Sequence, residues 1–278
     1  MQVLIGFVFL YIVPDNQLNA RWLDERERLL AIERVKENEQ GIGNKQFKWY
    51  QLREVFVDPH FWALFLYGIL NDIPNGGLTN FFSQLIVSFG YSNLQALLFG
   101  IPGGAVVIIA CWSNGWIGGR LQSRVLVACV PMGVAFLGII LIVALPLHMK
   151  VGRLVGYYLT QAAPAANATV LSLISSNVAG CTKKTSVAAL YLVSYCVGNI
   201  IGPYTFTPQA APRYVSAEIT ILVCYGLCLV LLLFIYGWYR RENSRKAKAR
   251  ASEHYVALEN AAWMDLTDRE HDGFIYTL

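Results

Sequence analysis

Between Phe61 and Tyr239 the chain carries only nine charged side chains: Asp72, Arg120, Arg124, Lys150, Arg153, Lys183, Lys184, Arg213 and Glu218. A soluble core does not segregate charge over such a length, because each of its helices alternates surface with interior. Charged residues make up 14% of the 278-residue chain, against about 25% in an ordinary soluble domain. The lipid bilayer is therefore the first partner that the sequence implies, and the protein is polytopic.

Six apolar stretches are each long enough for the ~20 residues that a bilayer crossing needs. They run from Phe61 to Phe89, Leu94 to Trp116, Val125 to Leu147, Leu154 to Val178, Ser186 to Phe206, and Ser216 to Tyr239. The runs are continuously apolar, without the period-two alternation of barrel strands, so they read as helices. Short separators carry turn or charge signals, among them Gly90-Tyr91-Ser92, Lys183-Lys184 and Pro208 to Arg213. The expected fold class is an all-α integral membrane bundle of six helices.

Val3 to Val13 is apolar but too short to span, and it lacks the basic start and cleavage site of a signal peptide. It reads as an interfacial segment or, the favoured reading, as the end of a helix that begins upstream. Asp15 to Gln40 alternates acidic and basic residues around a narrow stripe of Leu18, Trp22, Leu29 and Ile32, the pattern of an amphipathic helix at the membrane surface or against the bundle. Phe47-Lys48-Trp49-Tyr50 has the aromatic and basic mix of a membrane interface. Lysines and arginines concentrate from Arg21 to Arg53 and from Arg240 to Arg269. An even number of spans puts both ends on one side, which the positive-inside rule makes cytoplasmic. The loops with Arg120/Arg124 and Lys183/Lys184 then fall inside, and those with Lys150/Arg153 and Arg213 outside.

Asp72 is the one ionisable residue near the middle of a span, in the run Asn71-Asp72-Ile73-Pro74-Asn75-Gly76-Gly77. A carboxylate at that depth costs several kcal/mol unless it is paired, hydrated or neutral, so such residues usually face a cavity. Pro74 removes a backbone donor and the two glycines loosen the helix, which predicts a broken helix of the kind that marks transporter binding sites. Asp72 is the candidate proton-coupling group, and Asn71, Asn75, Asn80 and Gln84 of the same span are candidate substrate-binding residues. The structural alternative is a kinked helix whose asparagines cap freed carbonyls. Gln161 and Asn167 of the fourth span, beside Pro164, are candidate pore-facing groups, with interhelical hydrogen bonding as the alternative. The Asn167-Ala168-Thr169 glycosylation match lies inside a span and is discounted. Tyr191, Tyr195 and Asn199 fall at steps of four on one face of the fifth span, where they either pack or contact substrate; Gly198, Gly202 and Pro203 suggest a bend. Arg120 and Arg124 either clamp helix C-terminal carbonyls or anchor the loop by charge alone.

The six cysteines form no CxxC pair and the four histidines are scattered, so they read as packing residues rather than metal ligands. With no metal constellation and no nucleophile–base pair at membrane depth, the expectation is no catalytic residue, no cofactor, no enzyme and no nucleic-acid partner. A seven-span receptor is disfavoured because Val3 to Val13 is too short.

Several short runs carry a resemblance. They are Pro14-Asp15 followed by Ala20-Arg21-Trp22-Leu23, Glu33-Arg34 with Gly41 downstream, Asp58-Pro59, the Asn71 to Gly77 run with Asn80-Phe81, Gly180 to Lys184, Gly198 to Pro203, and Met264 to Asp268. Together and in order they resemble the allantoate permease family of fungal anion:cation symporters, within the major facilitator superfamily, over nearly the whole chain. The resemblance implies the C-terminal half of a twelve-span fold. Residues 1–13 would be a remnant of the sixth span, 14–60 the cytoplasmic central loop, 61–239 the C-terminal six-helix bundle, and 240–278 a cytoplasmic tail. It also implies a proton-coupled importer, in the plasma membrane, of a small organic anion or nutrient such as allantoate, nicotinate or a related vitamin. Cys181 where the family usually has His, Tyr204 where it has Gln, and His271 and Ile275 where Asn and Arg are commoner are departures that bear on substrate. The N-terminal six-helix bundle would be a missing partner. Since alternating access needs two bundles, the chain alone is expected not to transport; the alternative is a non-transporting truncated membrane protein or partner subunit.

Overall fold

A computed structural model describes residues 2–14, 20, 23–28, 30, 46–121, 123–207, 214–252 and 264–278. The expected amphipathic stripe over Asp15–Gln40 and the separator ending at Arg213 lie largely outside the described residues. Among the described residues every regular element is a helix: α1 Gln2–Ile12, α2 Trp49–Val57, α3 Pro59–Ser88, α4 Asn93–Arg120, α5 Arg124–Ala144, α6 Lys150–Thr160, α7 Ala163–Asn177, α8 Cys181–Tyr204 and α9 Val215–Arg250.

The helix starts follow from local chemistry. Asp58 caps α3 by accepting from the His60 N–H at 3.3 Å, and Pro59 supplies a preset φ at the first position. Ser92 and Gln95 cap α4 reciprocally, each side chain taking the other's backbone N–H. Before α8, Gly180 turns the chain at φ +88°, a conformation open to glycine at little cost.

Among the described residues four helices, α4, α5, α8 and α9, are long and apolar enough to cross a membrane. The first and fourth expected spans are the exceptions, each for a visible reason. The 30-residue α3 is diluted by its own polar run. The fourth crossing is two pieces, α6 and α7, broken by a turn at Gln161-Ala162. Pro164 sits in the first turn of α7, where a missing N–H is harmless.

The broken helix predicted at Asn71–Gly77 is therefore not where the sequence suggested. The α-helix α3 runs uninterrupted past Pro74, and its glycines serve contact rather than flexibility. A Cβ on Gly76 would come within 2.7 Å of the Asn199 backbone, and one on Gly198 within 2.7 Å of the Ile69 carbonyl. Likewise α8 is one helix to Tyr204, with Pro203 in its last turn, so Gly198 packs instead of marking a bend. Gly198→Ala is expected to lower stability by about 1–3 kcal/mol from overpacking, outweighing the gain of up to ~1 kcal/mol in helix propensity. Gly104→Ala, where nothing lies within 4 Å, shows that propensity gain alone. Thermal unfolding of both variants in detergent checks the contrast.

One end of the bundle, reached by Pro59, Asn177, Cys181 and the last turns of α9, is closed by chain from outside the spans. The Lys183 ammonium in the first turn of α8 is 1% exposed and bridges Glu54 at 2.9 Å, Asp58 at 3.0 Å and Asp268 at 2.7 Å. Gln51 of α2 accepts from the backbone N–H groups of Thr182 and Lys183 and donates to the Asp265 carbonyl. Asn243 and Asn177 each pair both ways with the backbone of the last residues, at Tyr276 and Thr277. The Tyr276 hydroxyl donates to Asp268 at 2.7 Å, and Asp265, Thr267, Asp268 and Tyr276 are all buried. The tail is thus a packed part of the bundle.

Two basic residues assigned to loops also lie inside. Lys183 belongs to α8, and Arg153 of α6 is buried in an ion pair with Glu218 of α9, its guanidinium 4.6 Å from the Phe89 ring. Of the two loop arginines, Arg120 stacks over Trp116 at 4.0 Å and Arg124 donates to the Ser172 hydroxyl at 2.9 Å. Carbonyl capping falls instead to Lys184, which donates to the Ser175 carbonyl at 2.6 Å near the end of α7.

Candidate functional site

The two polar interruptions of the apolar chain meet. A cavity of about 240 Å³ lies between the middle of α3, the break between α6 and α7, α8 and α9. Asn71, Asp72 and Asn75 line it from α3, Gln161 and Asn167 from either side of the break, and Tyr195 from α8. All six are residues singled out by sequence. Packing of α3 on α8 sets the wall: the Asn75 amide donates to Asn199 at 3.3 Å, and the Tyr191 hydroxyl donates to Asn167 at 2.5 Å. The tyrosine stripe accordingly divides its work, since Tyr191 is buried and holds Asn167, whereas Tyr195 is 38% exposed and reaches the cavity.

Asp72 itself is 1% exposed. Its Oδ2, the Asn71 Oδ1 and the Tyr67 hydroxyl are buried without a hydrogen-bond partner among the described residues. Buried polar atoms are rarely left so, and a polar chamber of this size has room for water or solute.

Two candidates lie elsewhere. The Asn80 amide folds back on the Gly76 carbonyl at 2.7 Å, one turn beyond the cavity. Gln84 lines a different cleft of about 310 Å³ with Ser83, Ser88, Asn93 and Tyr214, and accepts from the Tyr214 hydroxyl at 3.2 Å. Conversely, Thr79, Thr160 and Tyr225 line the Asp72 cavity and were not anticipated. Thr160 adjoins Gln161 at the break, a signal that was available; nothing in the sequence marks which face of α9 carries Tyr225.

The break also contributes backbone. No side chain caps the N-terminus of α7, which begins at the cavity wall with Ala163 and Pro164. Its dipole favours negative charge there, while no lysine or arginine lines the cavity among the described residues. The same residues hold no group of three metal-ligating side chains.

An all-helical bundle of apolar spans enclosing a polar chamber defines a class of polytopic membrane protein. Residues 2–203 match the family profile of the Major Facilitator Superfamily, and the chain belongs to that superfamily. It is 39% identical over its full length to an uncharacterized transporter of Schizosaccharomyces pombe, covering 54% of that protein. It is 35% identical to the allantoate permease of Saccharomyces cerevisiae over 99% of this chain and 52% of the permease. A thiamine pathway transporter of the same yeast is 29% identical over 96% of this chain and 51% of its own length. The chain spans about half the length of the curated relatives it matches. No solved structure matches it.

Proposed function

We propose that this chain forms the C-terminal six-helix bundle of a proton-coupled symporter for a small organic anion or nutrient of the allantoate, nicotinate or vitamin class. The observation that carries the reading is the meeting of Asp72 with the α6–α7 break in one polar cavity, the arrangement that marks binding sites in secondary transporters. In this reading Asn71, Asn75, Gln161, Asn167 and Tyr195 contact substrate, and Tyr191 and Asn199 position them. The first turn of α7 receives the carboxylate, in place of the break once expected in the first span. Asp72, the only carboxylate among the described residues lining the cavity, exchanges the coupled proton. Asn80 and Gln84 sit outside this chamber and take at most a path role. Residues 1–13 are read as the end of a sixth span, 14–60 as a central loop, and both ends as cytoplasmic in the plasma membrane.

A second reading is a non-transporting membrane protein or partner subunit. Both readings are tested by uptake of labelled allantoate and nicotinate in yeast. The chain is expressed alone and with the N-terminal half of the allantoate permease. Uptake driven by an acidic exterior is expected with the second half present, and Asp72→Asn is expected to abolish it while leaving substrate exchange intact. Proton-driven uptake surviving in Asp72→Asn removes Asp72 from coupling; no uptake in any combination favours the second reading.

A further inference from the structure

A second cavity, of about 360 Å³, opens between α4, α5 and α7 toward the Arg120 end of α4. It shares no lining residue with the Asp72 cavity. Two independent features indicate that it is shaped for a ligand. The first is Asn114, 6% exposed, which lines the cavity. Its amide nitrogen is engaged by the Ala165 carbonyl at 3.1 Å and the Thr169 hydroxyl at 2.6 Å, while its Oδ1 has no partner among the described residues. A buried acceptor left in this way calls for a donor from outside the described protein.

The second feature is the glycine lining. Gly76 and Gly198 are needed where α3 touches α8, but a Cβ on Gly115 or Gly119 would meet nothing within 4 Å. These glycines hold no helix pair together and leave space open. At the rim stands Arg124, whose guanidinium donates to the Ser172 hydroxyl at 2.9 Å. A guanidinium has five N–H donors in a fixed fork, so one such bond leaves most of the fork for an anion. Ser172 and Thr169 lie three residues apart on α7, so the groups holding Arg124 and Asn114 are neighbours, roughly 5–6 Å between their Cβ atoms.

We propose that this cleft binds a small anionic group, a phosphate or carboxylate, that carries an O–H or N–H donor beside its charge. Arg124 takes the anion and the Asn114 Oδ1 accepts from the donor. The same chemistry comes from two sources: the headgroup of an anionic glycerophospholipid, for which basic pockets between membrane helices are suited, or a soluble hydroxy- or amino-substituted anion.

Native mass spectrometry of the purified chain in detergent tests this with sn-glycerol 3-phosphate as soluble probe, short-chain phosphatidylglycerol as lipid probe and phosphatidylcholine as neutral control. The expected result is one equivalent of at least one anionic probe. Arg124→Gln is expected to weaken it about tenfold or more, as loss of a charge-assisted fork should. Gly115→Leu, which fills open space without displacing a helix, is expected to abolish binding without lowering the melting temperature. Binding of the lipid alone assigns the site to a headgroup, and of the soluble probe alone to a solute. Binding of both assigns it to the shared anion. The proposal is overturned if neither probe exceeds phosphatidylcholine, or if affinity survives both substitutions.

Discussion

Replacing Lys183 with methionine lowers the stability of the bundle by about 3–5 kcal/mol, the cost of leaving buried charges without their partner, and frees the Met264–Leu278 segment. Three carboxylates converge on this one ammonium, and Asp58 and Asp268 have fully buried side chains. None of them has a second lysine or arginine side chain among the described ion pairs; Lys246 donates to the backbone carbonyls of Asp268 and His271. Thermal unfolding measures the first effect and hydrogen exchange over Met264–Leu278 the second. A melting temperature and tail protection both equal to those of the parent chain would sink the assignment. The pH dependence has a definite sign. Burial alone would raise the Asp268 carboxyl, but the Lys183 ammonium and the Tyr276 hydroxyl bring it below its ordinary value of 3.8. A depressed acid contributes stability that is present above its unfolded pKa and lost as pH falls through the folded one. Tail docking is therefore expected to hold at neutral pH and to weaken only below the ordinary carboxylate range.

Arg153→Met is the second large effect, again about 3–5 kcal/mol, because it breaks a buried ion pair by removing one partner. Arg153 is 0% exposed and Glu218 2%, and their pair joins α6 to α9. The double variant Arg153→Met/Glu218→Leu separates charge from packing. Buried pairs exchanged for well-packed apolar residues are often neutral or stabilised by ~1–4 kcal/mol. The double variant is thus expected to recover most of the lost melting temperature. A double variant as unstable as the single one would show that packing around the Phe89 ring, rather than the broken ion pair, sets the cost.

Much of the candidate site was legible because membrane depth makes polar residues conspicuous. Asn71, Asp72 and Asn75 stand out of α3, and Gln161 and Asn167 out of the fourth crossing, for the same reason: the stretches that hold them are otherwise mostly apolar. Their meeting in one cavity was not legible, since they lie about ninety positions apart and only packing of α3, α7 and α8 joins them. Asn80 and Gln84 show the opposite failure. Both are polar residues on the right helix, yet one is turned back on its own backbone and the other opens into a different cleft.

The position of the helix break was misjudged for a related reason. Pro74 and the Gly76-Gly77 pair are local signals of a loosened helix, and so are Gln161 and Pro164. Propensity alone cannot rank them. Close packing against α8 leaves α3 continuous, whereas Pro164 falls where a new helix can start. The charges were misread in the same way. Lys183 and Arg153 counted as loop residues because span ends carry positive charge, but partners at Asp268 and Glu218 bury them.

By itself the sequence determined that the chain lives in lipid and that it crosses as helices. Those properties depend on hydropathy and capping, which are local. Only the tertiary structure decided which polar residues share a chamber, which glycines hold helices together, and that the tail closes one end of the bundle. These depend on contacts between residues far apart in the chain, whose energies exist only once the helices are packed.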